Sequence, residues 1–133
     1  MRRVLIVDDE PAMRLAVQEA LTRKGYEVGL ASNGREALGA LSKASYGMVI
    51  SDMQMPGLGG MDVLKGVKKA APHVPVLLIT AFGTIQKAVE AVKEGAVDFI
   101  LKPFTLDALE STVEKAFRRS GELCRFESKG KSM

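Results

Sequence analysis

Residues Met48–Pro56 read MVISDMQMP, and this stretch decides the fold. Met48, Val49 and Ile50 form an apolar run that stops at one carboxylate, Asp52. Gly47 bounds the run on one side, and Gln54 with Pro56-Gly57 turns the chain on the other. A run this short, apolar without alternation, predicts a strand buried on both faces, as in a parallel sheet. Asp52 then sits at the strand's carboxyl end, which in an open α/β sheet is the edge where ligands bind. A lone Asp there could equally cap a turn; the residues at the other strand ends decide between the two.

Upstream, Val4–Val7 is a second apolar run, ending in Asp8-Asp9-Glu10-Pro11. Acids and a Pro at that point suit a helix N-terminus. Met13, Ala16, Val17, Ala20 and Leu21 follow at helical spacing, and Lys24-Gly25 supplies the stop. Glu27–Ala31 reads as a short strand, and Asn33 with Glu36 as a cap pair for a helix carrying Ala37, Leu38 and Leu41.

Downstream, Gly60, Val63, Leu64 and Val67 give a helical stripe through about Ala70. Val74–Ile79 is a strand ending at Thr80, with Pro75 at its very start, where a missing N–H is tolerated. Ile85, Ala88, Val89 and Val92 form the next stripe, stopped by Gly95. Val97–Leu101 is a fifth strand ending in Lys102-Pro103, and Thr105 caps a last helix striped by Leu109, Val113, Ala116 and Phe117.

Five strand–helix alternations with short connections predict an α/β fold, a parallel sheet covered by helices on both faces; the expected form is a flavodoxin-like (βα)5 doubly wound sheet in strand order 2-1-3-4-5, in which strands one and three flank the topological switch point. One domain covers residues 1–119. From about Arg118 the apolar periodicity fades, which predicts a mobile C-terminal tail or linker over 120–133.

Composition narrows the function classes. At 133 residues the chain makes one domain with a real core. A net charge of +3 without a basic stripe and interleaved aromatics argues against direct nucleic-acid binding. The single cysteine, Cys124, excludes an internal disulfide and fits a reducing compartment; it has no activating cluster around it. Four apolar residues after Arg2-Arg3 are too few for a signal-peptide core, and no run approaches a membrane span. A cytoplasmic location follows as the expectation. His73 reads as a solvated loop residue, and Met53, Met55 and Met61 as packing or loop residues.

The polar residues at the strand ends form one set. Asp8 and Asp9 follow strand one, Asp52 strand three, Thr80 strand four and Lys102 strand five. Strand two contributes nothing charged, as suits a sheet edge away from the site. Three carboxylates in one crevice are costly without a cation. An all-oxygen cluster suits a hard divalent ion, Mg²⁺ before Ca²⁺. A carboxylate beside such an ion can attack a phosphoryl group and become an aspartyl phosphate, with a Lys ammonium neutralising the phosphoryl oxygens. Thr80 supplies a hydroxyl donor, and Ala81 is small enough to leave room.

The stretches VLIVDDEP, VISDMQMPGLGGMDVL, VLLITAFG and GAVDFILKPF resemble the receiver domain of two-component response regulators, over residues 4 to about 119. The resemblance implies that Asp52 is the phosphoacceptor, taking its phosphoryl group from a sensor histidine kinase or phosphotransfer protein. Asp9 would bind Mg²⁺ directly, Asp8 mostly through water, and the backbone carbonyl of Gln54 would be a further ligand. Thr80 and Lys102 would hold the phosphoryl group, Phe99 would be a rotating aromatic switch, and the Lys102–Pro103 bond would be cis. Such a domain is a phosphoacceptor switch rather than an enzyme. The wording of ITAFGTIQKAVEAVKEGAVDFILKPF resembles the NtrC-like group, whose members usually continue into an ATPase domain and a helix-turn-helix domain. No GxxxxGK[ST] loop occurs here, so the chain reads as an isolated receiver, or one excised with its linker, whose output in transcription regulation needs a domain absent from it.

Two other classes fit less well. A haloacid-dehalogenase-type phosphotransferase places its nucleophile in a DxD motif after strand one, where this chain has adjacent acids. A flavodoxin-type FMN carrier needs a Ser/Thr/Gly-rich phosphate loop there, and an acidic loop repels phosphate. For the switch, a phosphorylated Asp52 draws Thr80 inward and Phe99 fills the space it leaves. That alters a face made by helix Thr84–Glu94, strand Val97–Leu101 and helix Leu106–Arg118, with Lys87, Glu90, Lys93, Asp98, Glu110 and Glu114 in mixed sign. Such a face predicts pairing with a second copy.

Overall fold

The computed structural model describes residues 2–81 and 85–132, with side chains up to 119. Phe82, Gly83 and Thr84 lie outside the described residues, and with them the expected start of the fourth helix. The order is β1 (Arg3–Val7), α1 (Pro11–Arg23), β2 (Glu27–Ala31), α2 (Gly34–Lys43), β3 (Met48–Asp52), α3 (Gly60–Ala70), β4 (Val76–Thr80), α4 (Ile85–Lys93), β5 (Asp98–Leu101) and α5 (Leu106–Ser132). The five strands are parallel, as the alternation predicts, and lie in the expected order β2-β1-β3-β4-β5.

β3 and β4 are buried along their whole length, which is why they read as apolar runs without alternation. Strand alternation divides their side chains between two cores. Val49, Val76 and Leu78 pack with Val63, Leu64 and Val67 of α3 and Ala91 of α4. Ile50, Leu77 and Ile79 pack with Val17 and Leu21 of α1 and Leu109 and Val113 of α5. Each fully buried aliphatic side chain contributes on the order of 1.5–3 kcal/mol of transfer free energy, so the layers hold the sheet's carboxyl edge as a rigid platform.

The caps expected from the sequence are present. Asn33 Oδ1 accepts from the Glu36 N–H at 2.8 Å, while the Glu36 carboxylate accepts from the Ser32 N–H at 2.8 Å. Thr105 Oγ1 accepts from the Ala108 N–H at 3.0 Å. Gly25 ends α1 at φ 93°, a conformation open to glycine, and lets the Tyr26 N–H close back on the Leu21 carbonyl at 3.1 Å.

Several expectations change. β4 starts at Val76; Val74 instead closes a turn, its N–H bonded to the Ala71 carbonyl at 2.9 Å. Pro75 precedes the strand and offers its carbonyl to the Val49 N–H at 3.0 Å. The α4 stripe is turned: small Ala88 and Ala91 face the core, while Ile85, Val89 and Val92 are 39%, 43% and 40% exposed. The backbone of α5 stays helical to Ser132, past the point near residue 119 where its apolar stripe ends. Among the described residues no helix is long and apolar enough to cross a membrane.

Candidate functional site

The carboxyl ends of β1, β3, β4 and β5 bring the strand-end residues into one crevice. Asp8, Asp9 and Asp52 each offer a carboxylate oxygen, and the three oxygens lie within 4.8 Å of one another. β3 ends on Asp52, which is 6% exposed. Its Oδ1 accepts from the Gln54 N–H at 3.1 Å, and its Oδ2 accepts from Lys102 Nζ at 2.8 Å. The Lys102 backbone N–H is bonded to the Thr80 carbonyl at 2.8 Å, so the root of the lysine is tied to β4 while its tip reaches β3. The Lys102–Pro103 peptide is cis.

Asp8 is the most enclosed acid of the three, at 1% exposure. Its Oδ1 accepts from the Glu10 N–H at 2.9 Å, and its buried Oδ2 has no hydrogen-bond partner. Burial raises the Asp8 pKa above the usual carboxylate range; the Glu10 hydrogen bond opposes the rise, and the Asp52 charge adds to it. At Lys102 burial works against the charged form, but the hydrogen bond it donates to Asp52 and the Asp52 charge, with Asp8 and Glu10 behind it, outweigh burial and hold the ammonium's pKa above its ordinary value.

These features test the fit of a cation. A buried carboxylate oxygen without a partner costs free energy unless something positive faces it. The donor set is all oxygen and converges from two strands, which suits a hard divalent ion and not a soft one. The residues fit such an ion.

Thr80 is wholly buried at the end of β4, and Ala81, the residue after it, is exposed. Phe99 is half-buried on β5 and packs against the α3/α4 core. Leu78 and Phe99 are register partners, and Leu78 belongs to the same core, so alternation puts Thr80 on the sheet face that Phe99 occupies. Glu110 and Glu114, expected on one face with α4, turn the other way. Glu110 lies 3.9 Å from Lys24, and Glu114 lines a hollow with Arg2 and Tyr26 at the α1 side of α5. Arg119, expected from the sequence as part of a solvated helix face with Arg118, takes the place beside β5: its Nη1 donates to the Val97 carbonyl at 2.9 Å and lies 3.7 Å from Asp98 Oδ2. Arg14 carries no signal in the sequence; its Nη1 donates to the Asp8 backbone carbonyl at 2.7 Å.

Residues 4–114 match the response regulator receiver domain family. The chain belongs to that family. This receiver is 39% identical over 113 residues to the transcriptional regulatory protein ZraR of Escherichia coli K12, covering 85% of this chain and 26% of ZraR. It therefore spans about a quarter of that relative's length. The crystal structure of NtrX from Brucella abortus aligns with a TM-score of 0.88 at 36% identity, over 96% of this chain and 29% of NtrX. A response regulator receiver domain protein from Clostridium thermocellum aligns with a TM-score of 0.86 at 35% identity, over 92% of this chain and 99% of its own. ZraR and NtrX are NtrC-like response regulators, and receivers of this family are signalling switches.

Proposed function

We propose that Asp52 accepts a phosphoryl group from a sensor histidine kinase or phosphotransfer protein, and that the phosphorylated domain controls an output through a part of the protein beyond this chain. The observation that carries the reading is the Lys102–Asp52 contact of 2.8 Å inside a ring of two further carboxylates. A structural ion pair has no use for two extra acids, one of them buried with an unpartnered oxygen.

In the transfer, an Asp52 carboxylate oxygen forms a bond to phosphorus as the phosphorus–nitrogen bond of a phosphohistidine breaks. The departing imidazole nitrogen keeps that electron pair. Asp8, Asp9, Asp52 and the backbone carbonyl of Gln54 would hold Mg²⁺. Bound there, the ion supplies charge neutralisation to the incoming phosphoryl oxygens. Lys102, already at the nucleophile, follows the negative charge onto the phosphoryl group. Thr80 donates its hydroxyl to another phosphoryl oxygen, and the small Ala81 leaves the approach open. Movement of Thr80 toward the new charge vacates space that Phe99 fills, and the surface of α4, β5 and α5 changes with it. We infer that this surface pairs with a second copy.

The test is incubation with acetyl phosphate and Mg²⁺. One phosphoryl group should be incorporated per chain, and Asp52→Asn should abolish it. Incorporation that survives Asp52→Asn, or that proceeds without a divalent ion, refutes the assignment.

A further inference from the structure

Every polar group of Asp8 but one is held. Its N–H donates to the Ala31 carbonyl at 3.1 Å, tying it to β2. Its Oδ1 accepts from the Glu10 N–H at 2.9 Å. Its carbonyl accepts from Arg14 Nη1 at 2.7 Å. Only Oδ2 is left, buried and without a partner. Arg14 is the one side chain among these three restraints. Its own N–H is bonded to the Glu10 carbonyl at 3.0 Å, which ties the first turn of α1 to the acidic loop.

The carbonyl that Arg14 grips belongs to the peptide joining Asp8 to Asp9. A peptide unit is planar, so holding its oxygen also fixes the direction in which Asp9 leaves. One side-chain hydrogen bond thereby orients two of the three carboxylates. A charged donor to a carbonyl is among the stronger hydrogen bonds available for the purpose. We propose that Arg14 is the positioning residue of the acidic site, holding the Asp8–Asp9 peptide so that both carboxylates converge, and that it thereby raises the chain's affinity for Mg²⁺. The inference rests on the reading above that Asp8, Asp9 and Asp52 hold that ion.

Electrostatics alone predicts the opposite sign. A guanidinium held at the Asp8 carbonyl adds positive charge near the acidic site and repels a cation, so removing its charge without disturbing the loop would tighten Mg²⁺ binding. Positioning predicts that removal weakens it. The sign of one measurement separates the two.

The experiment is a Mg²⁺ titration of the purified chain followed by the backbone amide shifts of Asp9, Asp52 and Lys102, with no phosphodonor present. Arg14→Met keeps the aliphatic length and removes the donors. It should weaken Mg²⁺ about tenfold, as loss of a residue that orients a metal ligand commonly does. Arg14→Lys, which keeps one charged donor, should recover most of that loss. Arg23→Met, at the far end of α1, should leave the affinity unchanged. Arg14→Gln gives the same sign should Arg14→Met fail to fold, and the metal-free amide spectrum verifies the fold of each variant. Binding by the unsubstituted chain that is equal or tighter in Arg14→Met or Arg14→Gln overturns this inference and leaves the reading of the site intact. No binding by the unsubstituted chain overturns both.

Discussion

Lys102 Nζ sits 2.8 Å from Asp52 Oδ2, two residues 50 positions apart that are brought together across β4. The ammonium is the cation that the crevice supplies to Asp52. It makes three neighbouring carboxylates tolerable, and it competes with any metal for their charge. Lys102→Met should therefore tighten Mg²⁺ binding in a titration and at the same time slow incorporation from acetyl phosphate. Loss of a preorganised charged partner of the developing phosphoryl charge commonly costs on the order of 10²–10³ in rate. Faster or unchanged incorporation would remove Lys102 from the transfer.

Asp8 makes the metal-free protein sensitive to pH. Its pKa is raised in the folded state, chiefly by burial, so the folded chain holds a proton that the unfolded chain releases. Where the unfolded state binds fewer protons, stability falls as pH rises. Stability of the metal-free protein should fall as pH climbs from the ordinary carboxylate range through the higher folded value. Saturating Mg²⁺ should offset the loss; at a hundredfold excess over its dissociation constant a ligand adds about 2.7 kcal/mol. Asp8→Asn should flatten the profile and abolish the Mg²⁺ stabilisation. Thermal unfolding with and without EDTA across that range checks it; an Asp8→Asn profile that matches the parent's locates the effect elsewhere.

Gly60 guards the geometry behind Asp52. A Cβ added there would lie 2.7 Å from the Asp52 carbonyl oxygen and 2.8 Å from Met53 Cα, both backbone atoms. Neither can yield without moving the end of β3. Gly60→Ala should cost about 1–3 kcal/mol, the usual range for overpacking, and should weaken Mg²⁺ binding because Asp52 moves with its backbone. Gly39→Ala, where a Cβ meets nothing within 4 Å, is the control. Equal unfolding midpoints for the two would mean that the β3–α3 loop relaxes freely.

The strands, the helix caps and the strand-end set were all legible in the sequence, because each rests on a local signal. Apolar runs mark strands buried on both faces, Asn33–Glu36 and Thr105 satisfy N–H groups within their own helix turn, and Asp8, Asp9, Asp52, Thr80 and Lys102 each end a strand. Helix phase was less legible. The α4 periodicity reveals a stripe, but two alanines suffice to fill the gap beside β4 and β5, so the larger Ile85, Val89 and Val92 face outward. Glu110 and Glu114 turn toward Lys24 and Tyr26 for a similar reason: Leu109 and Val113 claim the core side of α5. Arg14 was invisible because its partner is a backbone carbonyl, which no residue type announces.

That outward turn of α4 sharpens the prediction about assembly. Ile85, Val89 and Val92 lie at i, i+4 and i+7, one row on the helix surface, and all are about two-fifths exposed. Lys87, Glu90 and Lys93 are exposed on the same helix, and Arg119 with Asp98 borders it on the α5 side of β5. An apolar row with a charged rim of both signs is the composition of a protein–protein contact. Thr80 and Phe99 share the sheet face that α4 covers, so under the proposed function phosphorylation of Asp52 would act on this row from behind. Beryllofluoride with Mg²⁺, standing in for the phosphoryl group, should raise the sedimenting mass from one chain to two. Val89→Glu should prevent the increase while leaving the monomer's stability within about 0.5 kcal/mol, as for an ordinary surface change. It should also leave acetyl phosphate incorporation intact, which separates the contact from the chemistry. Thr80→Ala should keep Asp52 phosphorylatable but break the link, so that the analogue no longer drives pairing. Mass unchanged by the analogue in the parent chain would remove the contact. Pairing that persists in Thr80→Ala would show that the signal leaves Asp52 by another route.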